Sequence, residues 1–254
     1  MIQPENLKSF LEEKYIQYNT KSFITGDPIE VPHMFSNNAD IEISGFLTAV
    51  ISWGRRHAIT KSGKELMRMM DFEPKVFVKH ASEHEIATLN RFVYRTFSGL
   101  DAMTFILATR NIINEYGSLE KAFFSPYEDD MALIISRFKK RFFAIEHLSR
   151  TLKHLPDPMK NSAAKRINMF LRWMIRKDLN GVDFGIWEST GADKLICPLD
   201  LHSGQVARKL NLLSRKQNDW KAALELTQNL RLFDPEDPVK FDFALFGLGW
   251  YEQF

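Results

Sequence analysis

An amine and a carboxylate brought together are the minimum for nucleophilic attack on a sugar carbon, and Lys165 and Asp200 supply the two groups. Lys165 opens the segment Lys165-Arg166-Ile167-Asn168-Met169-Phe170-Leu171-Arg172-Trp173, where Ile167, Phe170, Leu171 and Met174 form one apolar helical face. Lys165 and Met169 fall one turn apart on another side. Asp200 stands just before a helix, where the helix dipole and the free backbone amides favour a carboxylate. In such a pair the lysine would displace a base at C1′. The aspartate stabilises the positive charge that develops on the sugar and helps to move protons. The plainer reading of the same residues is a solvated lysine at a helix start and an aspartate acting as N-cap.

Other clusters also have a chemical and an ordinary reading. His80-Ala81-Ser82-Glu83-His84 fits the H-x-x-E-H zinc pattern, which needs both imidazoles on one helical face. Ser82 followed three residues later by Glu85 also reads as a capping box, which leaves His80 outside the helix and opposes the metal reading. Cys197 precedes His202 by five residues, but a lone cysteine in Leu195-Ile196-Cys197-Pro198 reads as a small buried hydrophobe. Trp53, Arg55, Arg56 and His57 form an aromatic–basic cluster able to hold a flipped base or a phosphate, or to complement a helix C-terminus. Arg91, Tyr94, Arg95 and Phe97 allow the same two readings.

The elements that must position these residues are helical throughout. Apolar spacing predicts helices over Lys8–Gln17, from Asp40 through Ile51, over about Thr60–Met70, from Ser82, and over Met103–Ile113 behind an Asp101 cap. Ser125-Pro126-Tyr127-Glu128 reads as a capping box for a helix reaching Phe143. Ser162 is the expected cap of a helix over Ala163–Lys177. Further helices are expected at His202–Leu213, at Trp220–Asn229 and from Asp234 through Phe246. Asn19–Asn38 and Asn180–Pro198 read as ordered connections, and Gly54 as a break. With roughly ten helices, no alternating strand pattern and no glycine-rich phosphate loop, the class is all-α.

The chain of 254 residues is long enough to bury a core without crosslinks. Its single cysteine excludes an internal disulfide and an all-cysteine iron–sulfur cluster, so no cofactor is expected and the cytoplasm is the expected compartment. The stretch Met1–Glu13 is charged and has no signal-peptide core, and no apolar run is long enough for a membrane span. Charge is segregated: Arg137–Asp178 holds 12 Lys/Arg against 3 Asp/Glu, in a chain of net charge +2. That pattern fits either a face for an anionic partner or a solvated face balanced elsewhere in the fold.

The segment from Lys160 to Leu210 resembles the catalytic segment of helix-hairpin-helix DNA glycosylases, above all the archaeal-type 8-oxoguanine branch. Lys165 falls on that superfamily's catalytic lysine, with Phe170-Leu171-Arg172 in register behind it. Asp200 falls on its second catalytic residue, with Leu199 and His202 around it. The apolar helix Ile41–Ser52 looks like the helix that opens that fold. The resemblance implies a single two-lobed helical domain over 1–254 with a central cleft. It also implies a monomer with DNA as partner and no metal, which flips a damaged base and cleaves its N-glycosidic bond through Lys165 and Asp200. Arg55, Arg56, Lys160, Arg166, Arg172 and His202 are then expected to hold the nucleic acid. The alternatives are a catalytically inactive nucleic-acid-binding protein of the same fold, or a helical protein that binds another anionic ligand. Two departures stand out. Lys160-Asn161-Ser162-Ala163-Ala164 lacks the glycines of the superfamily's hairpin, and 35 positions separate Lys165 from Asp200, more than is usual there. The chain as a whole is also similar to a bacterial family of unknown activity marked by Asp27-Pro28-Ile29, Gly54-Arg55-Arg56 and Pro198-Leu199-Asp200-Leu201-His202.

Overall fold

The computed structural model describes residues 4–254, with side chains from Asn6 onward, so Met1–Gln3 of the charged N-terminal stretch lie outside the described residues. The helices are α1 (Pro4–Tyr18), α2 (Asn38–Val50), α3 (Arg56–Arg68), α4 (Pro74–His80), α5 (Glu83–Thr88), α6 (Gly99–Tyr116), α7 (Leu119–Phe124) and α8 (Met131–Phe142), then α9 (Lys165–Ile175), α10 (Leu201–Lys209), α11 (Trp220–Arg231) and α12 (Phe241–Trp250). The class is all-α. No helix among the described residues is long and apolar enough to cross a membrane.

Caps decide where the helices start, and several differ from the expected ones. Asn37 accepts from the Ala39 amide at 2.9 Å and starts α2 ahead of Asp40, which lies in the first turn and accepts from the Lys75 amide instead. Ser98 is the cap of α6, and Asp101 is the third residue of its capping box. Asp130 caps α8 through the Ala132 and Leu133 amides. The Ser125–Glu128 box does not form, because a cap must stand immediately before the amphipathic run and Asp130 occupies that place. Between β1 (Val93–Tyr94) and β2 (Phe97–Ser98) the chain makes an antiparallel hairpin of two-residue strands, too short for an alternating pattern to reveal.

The chain divides into two compact units. Ile24–Pro156 forms one. Its α2 is buried along its length, and Phe46 packs edge-on against Phe138 and Phe142, while Phe123 stacks on Phe138 at 3.6 Å between centroids. Burying rings of this size contributes about 1.5–3 kcal/mol each. The other unit joins the stretch up to Phe23 to Asp157–Phe254. Here α1 packs on α12, and α12 packs on α10. Gly247 permits the first of these contacts, since a Cβ there would meet the Tyr18 ring at 2.0 Å. This unit carries both Lys165 and Asp200.

Candidate active site

Lys165 is presented by an irregular turn rather than by a simple helix cap. Asp157 caps a short 3-10 turn over Pro158–Lys160. Asn161 follows in the left-handed region at φ 62°, and Ala164 at φ 48°. Asparagine tolerates that region, whereas for alanine it costs about 1–2 kcal/mol. The turn is held by its neighbours. Ser162 pairs with Asp219 in an antiparallel bridge, Asn161 Nδ2 donates to Asp219 Oδ2 at 3.1 Å, and Asn168 Nδ2 donates to the Ala163 carbonyl at 3.1 Å. The Arg215 guanidinium holds the Asp219 carboxyl well below the usual carboxylate range. Ser162 therefore does not start a helix at Ala163 as expected. Its Oγ accepts from the Ala164 amide at 3.2 Å, and α9 begins at Lys165. The hairpin lacks glycine yet uses the backbone region in which glycine is most at ease.

Asp200 is fixed by α10. Its Oδ1 accepts from the Ser203 amide at 2.9 Å, and Ser203 Oγ accepts from the Asp200 amide at 2.9 Å, a reciprocal capping box. Asn218 Nδ2 donates to the Asp200 carbonyl at 2.7 Å. The second oxygen, Oδ2, faces Lys165 Nζ at 3.8 Å. That is within ion-pair range and beyond hydrogen-bond range. The two side chains are 32 % and 25 % exposed, so they are both close together and accessible. One oxygen serves the fold, and the other faces the amine.

Behind this pair runs a buried chain of charges. Arg172, seven residues after Lys165 on α9, binds Asp183 and Asp242, and its guanidinium lies 4.2 Å from the Phe243 ring centre. Arg176, one turn further on, binds Asp183 at 3.1 Å and Asp237 at 2.8 Å and receives Asp178 at 3.5 Å. Burial pushes the Asp183 carboxyl above its ordinary value against the pull of Arg172 and Arg176. The Asp242 carboxyl is pushed up to about 6 by burial and by Asp200, with Arg172 and Lys165 opposing the rise.

These contacts settle the position of each expected residue. Lys165 and Asp200 meet. Lys160 is exposed on the turn before Lys165, and Arg166 is half-buried, with burial drawing its guanidinium down to about 10. His202 packs edge-on against Trp250 at 5.7 Å. Arg172, expected to contact nucleic acid, is only 3 % exposed and serves as the internal counter-ion of two aspartates, which corrects that expectation. Arg55 and Arg56 belong to the Ile24–Pro156 unit. Arg55 is exposed, while Arg56 pairs with Asp27 at 2.6 Å. In the same unit Trp53 packs on His154 and Tyr94, and Tyr94 and Phe97 are buried core residues. His80 ends α4 and Ser82 caps α5, so the two imidazoles of the H-x-x-E-H match sit on different helices. Cys197 is fully buried, and burial pushes its thiol well above the ordinary value, which disfavours the nucleophilic thiolate.

Five of the twelve cations of the basic run Arg137–Asp178 are engaged inside the fold, while Lys140, Arg150, Lys153, Lys160 and Lys177 are exposed. Arg137 and Arg141 donate to the Phe123 and Ala122 carbonyls at the end of α7, Lys139 donates to the Leu155 carbonyl, and Arg172 and Arg176 are balanced by aspartates. Sequence reasoning missed Asp183, Asp237 and Asp242. The available signal was Arg172 on the apolar helix α9 and Arg176 just past its end, together with a lone aspartate in the apolar run Phe241–Trp250. Charges placed so need partners.

Among the described residues no group of three or more His, Cys, Asp or Glu is arranged to hold a metal ion. Neither a search of curated proteins nor a search of solved structures returned a match. The family described as a protein of unknown function, DUF2400, matches residues 27–251, which contain Lys165, Asp200 and the aspartates behind them, and the chain belongs to that family.

Proposed function

We propose that the protein is a DNA glycosylase of the base-excision type, with Lys165 as nucleophile and Asp200 as its electrostatic and proton-transfer partner. The observation that carries this reading is the 3.8 Å approach of Lys165 Nζ to Asp200 Oδ2 between two partly exposed side chains. The neutral amine attacks C1′ of an extruded nucleotide, and the electron pair of the C1′–N bond leaves with the base, which takes up a proton. The nitrogen bound to C1′ then loses a proton, for which the Asp200 carboxylate is the nearest acceptor, and ring opening yields an imine. Asp200 also stabilises positive charge on the sugar. The hairpin before Lys165, with Lys160 exposed on it, supports the reading as the place where a DNA backbone would lie.

Borohydride trapping on duplexes carrying different damaged bases tests the proposal. Reduction of the imine converts it to a stable secondary amine, so wild type is expected to form a covalent adduct at Lys165, and Lys165→Gln none. Asp200→Asn keeps the capping geometry and is expected to lower trapping at least about a hundredfold. The absence of any adduct across oxidised, alkylated and deaminated bases, alongside salt-dependent binding to the same duplexes, would overturn the catalytic reading and leave a nucleic-acid-binding protein.

A further inference from the structure

Helix α12 is apolar along its length except for Asp242. A carboxyl in such a helix requires a partner, and Arg172 is hydrogen-bonded to it. Arg172 lies two turns beyond Lys165, so both residues occupy one face of α9. Helix α12 packs along α10, the helix that Asp200 caps. Asp242 is thereby brought to the same seam as the Lys165–Asp200 pair. The charges that act on Asp242 are Lys165 and Arg172 from α9, Asp183 from the connection after it and Asp200 from the start of α10. The ion network continues through Arg176 at the end of α9, Asp178, Tyr15 from α1, and Asp237 and Lys240 from the turn before α12. Asp242 shares the Arg172 cation with Asp183, and Asp183 also meets Arg176.

We propose that Asp242 is the third residue of this site, a positioning carboxyl that holds α9 through Arg172 and sets the charge that Lys165 faces. The inference rests on the reading of Lys165 and Asp200 as the working pair. Ionised, Asp242 helps to hold the Lys165 ammonium. Protonated, it withdraws that negative charge from the face that Lys165 meets. Burial raises the Asp242 carboxyl to about 6, so this exchange falls within a readily accessible pH range.

Carbon-13 NMR titration of the full chain, labelled at the aspartate carboxyls and lysine side chains, tests the proposal without DNA. The Asp242 carboxyl is expected to titrate at about 6, and the Lys165 Cε resonance to step at the same midpoint, with no such step at Lys160 or Lys221. In Asp242→Asn the step at Lys165 disappears. Acetylation of Lys165 by acetic anhydride at neutral pH then rises about three- to tenfold relative to Lys160 and Lys221. Asp242→Glu restores the step. A purely structural carboxylate would produce none of these changes at Lys165. If wild-type Lys165 shows no step between about pH 5 and 7, or if Asp242 titrates near its ordinary value of about 4, the proposal is overturned, whether or not the variants fold. A step at Lys165 without any trapped adduct retains the role of Asp242 and removes the glycosylase reading, whereas an adduct without the step does the reverse.

Discussion

The Ile24–Pro156 unit closes around rings, whereas the unit that carries Lys165 and Asp200 closes around charges as well. In the first, Phe46, Phe123, Phe138 and Phe142 pack on one another, and the one buried carboxylate of α6, Asp101, is surrounded by Thr151, Ser98, Arg150 and His154. In the second, Arg172 and Arg176 are interleaved with Asp183, Asp237 and Asp242. Ring packing is non-directional and tolerates small changes of shape. A buried ion network tolerates little, because removing one member leaves another charge without a partner. Such networks give a fold little net stability for what they demand, and the one here adjoins an accessible lysine and aspartate. The contrast teaches that the first unit is organised by burial, and the second also by the need to hold particular groups in place.

The largest effect is expected from Arg172→Met. It leaves Asp183 and Asp242 buried without their shared cation and is expected to lower the stability of that unit by about 3–5 kcal/mol. Urea denaturation followed by tryptophan fluorescence measures this, because Trp173, Trp187, Trp220 and Trp250 report on that unit and Trp53 on the other. A loss below about 1 kcal/mol would break the comparison, by showing that the network is not confined as described.

Next in size is a difference in pH dependence. Asp242 titrates at about 6 in the folded protein against an ordinary 3.8, so the native state binds more protons between those values. Its contribution is present in full below the lower value and is lost as pH rises through the higher one, about 2–3 kcal/mol in all. Asp101 behaves in the opposite way. Burial alone would raise its carboxyl, but the Thr151 and Ser98 hydrogen bonds and His154 outweigh burial and hold it below the ordinary value. Its contribution is present above the unfolded value and is lost as pH falls through the folded one. In denaturation curves from about pH 4 to 8 the stability of the Asp242 unit is expected to fall with rising pH, and Asp101 to contribute no slope, its own loss coming only below about pH 4. Asp242→Asn is expected to reduce the slope of its own unit, where Asp183 and Asp237 are also raised.

Smaller changes sharpen the contrast further. Phe138→Leu is expected to cost about 1–1.5 kcal/mol, equally at every pH in that range, since it alters shape and no charge. A pH-dependent cost would mean that the phenylalanine core is coupled to a titrating group. Least of all, Asp200→Asn is expected to change stability by no more than a few tenths of a kcal/mol, because asparagine caps a helix about as well as aspartate. Calorimetry showing a loss above about 1 kcal/mol would mean that the charge facing Lys165 also holds α10 in place.

Much of the fold was legible from local pattern. The apolar spacing in α2 and α9, the Ser82 capping box and the irregular stretch before Pro198 follow from residues a few positions apart. Where two caps compete, as Asp40 with Asn37 or Ser125 with Asp130, the expected start shifted by a few residues, because backbone geometry chooses between side chains of similar propensity. The candidate site was legible in its first pair only. Lys165 and Asp200 stood out by type and by helix-start position. Arg172 was expected to hold nucleic acid through the resemblance alone, and its place on the apolar helix α9 signals a buried cation without naming Asp183 and Asp242 as its partners.

Composition and periodicity were enough for the helical class, the single buried thiol and the helix starts at which Lys165 and Asp200 appear. Those properties depend on propensities and hydrogen bonds within a turn or two of chain. The 3.8 Å approach of two groups 35 positions apart, the left-handed backbone at Asn161 and Ala164, and the protonatable Asp242 behind them depend on packing between segments far apart in sequence. Only tertiary structure brings such segments together, and only burial converts their ordinary charges into groups that titrate near neutrality.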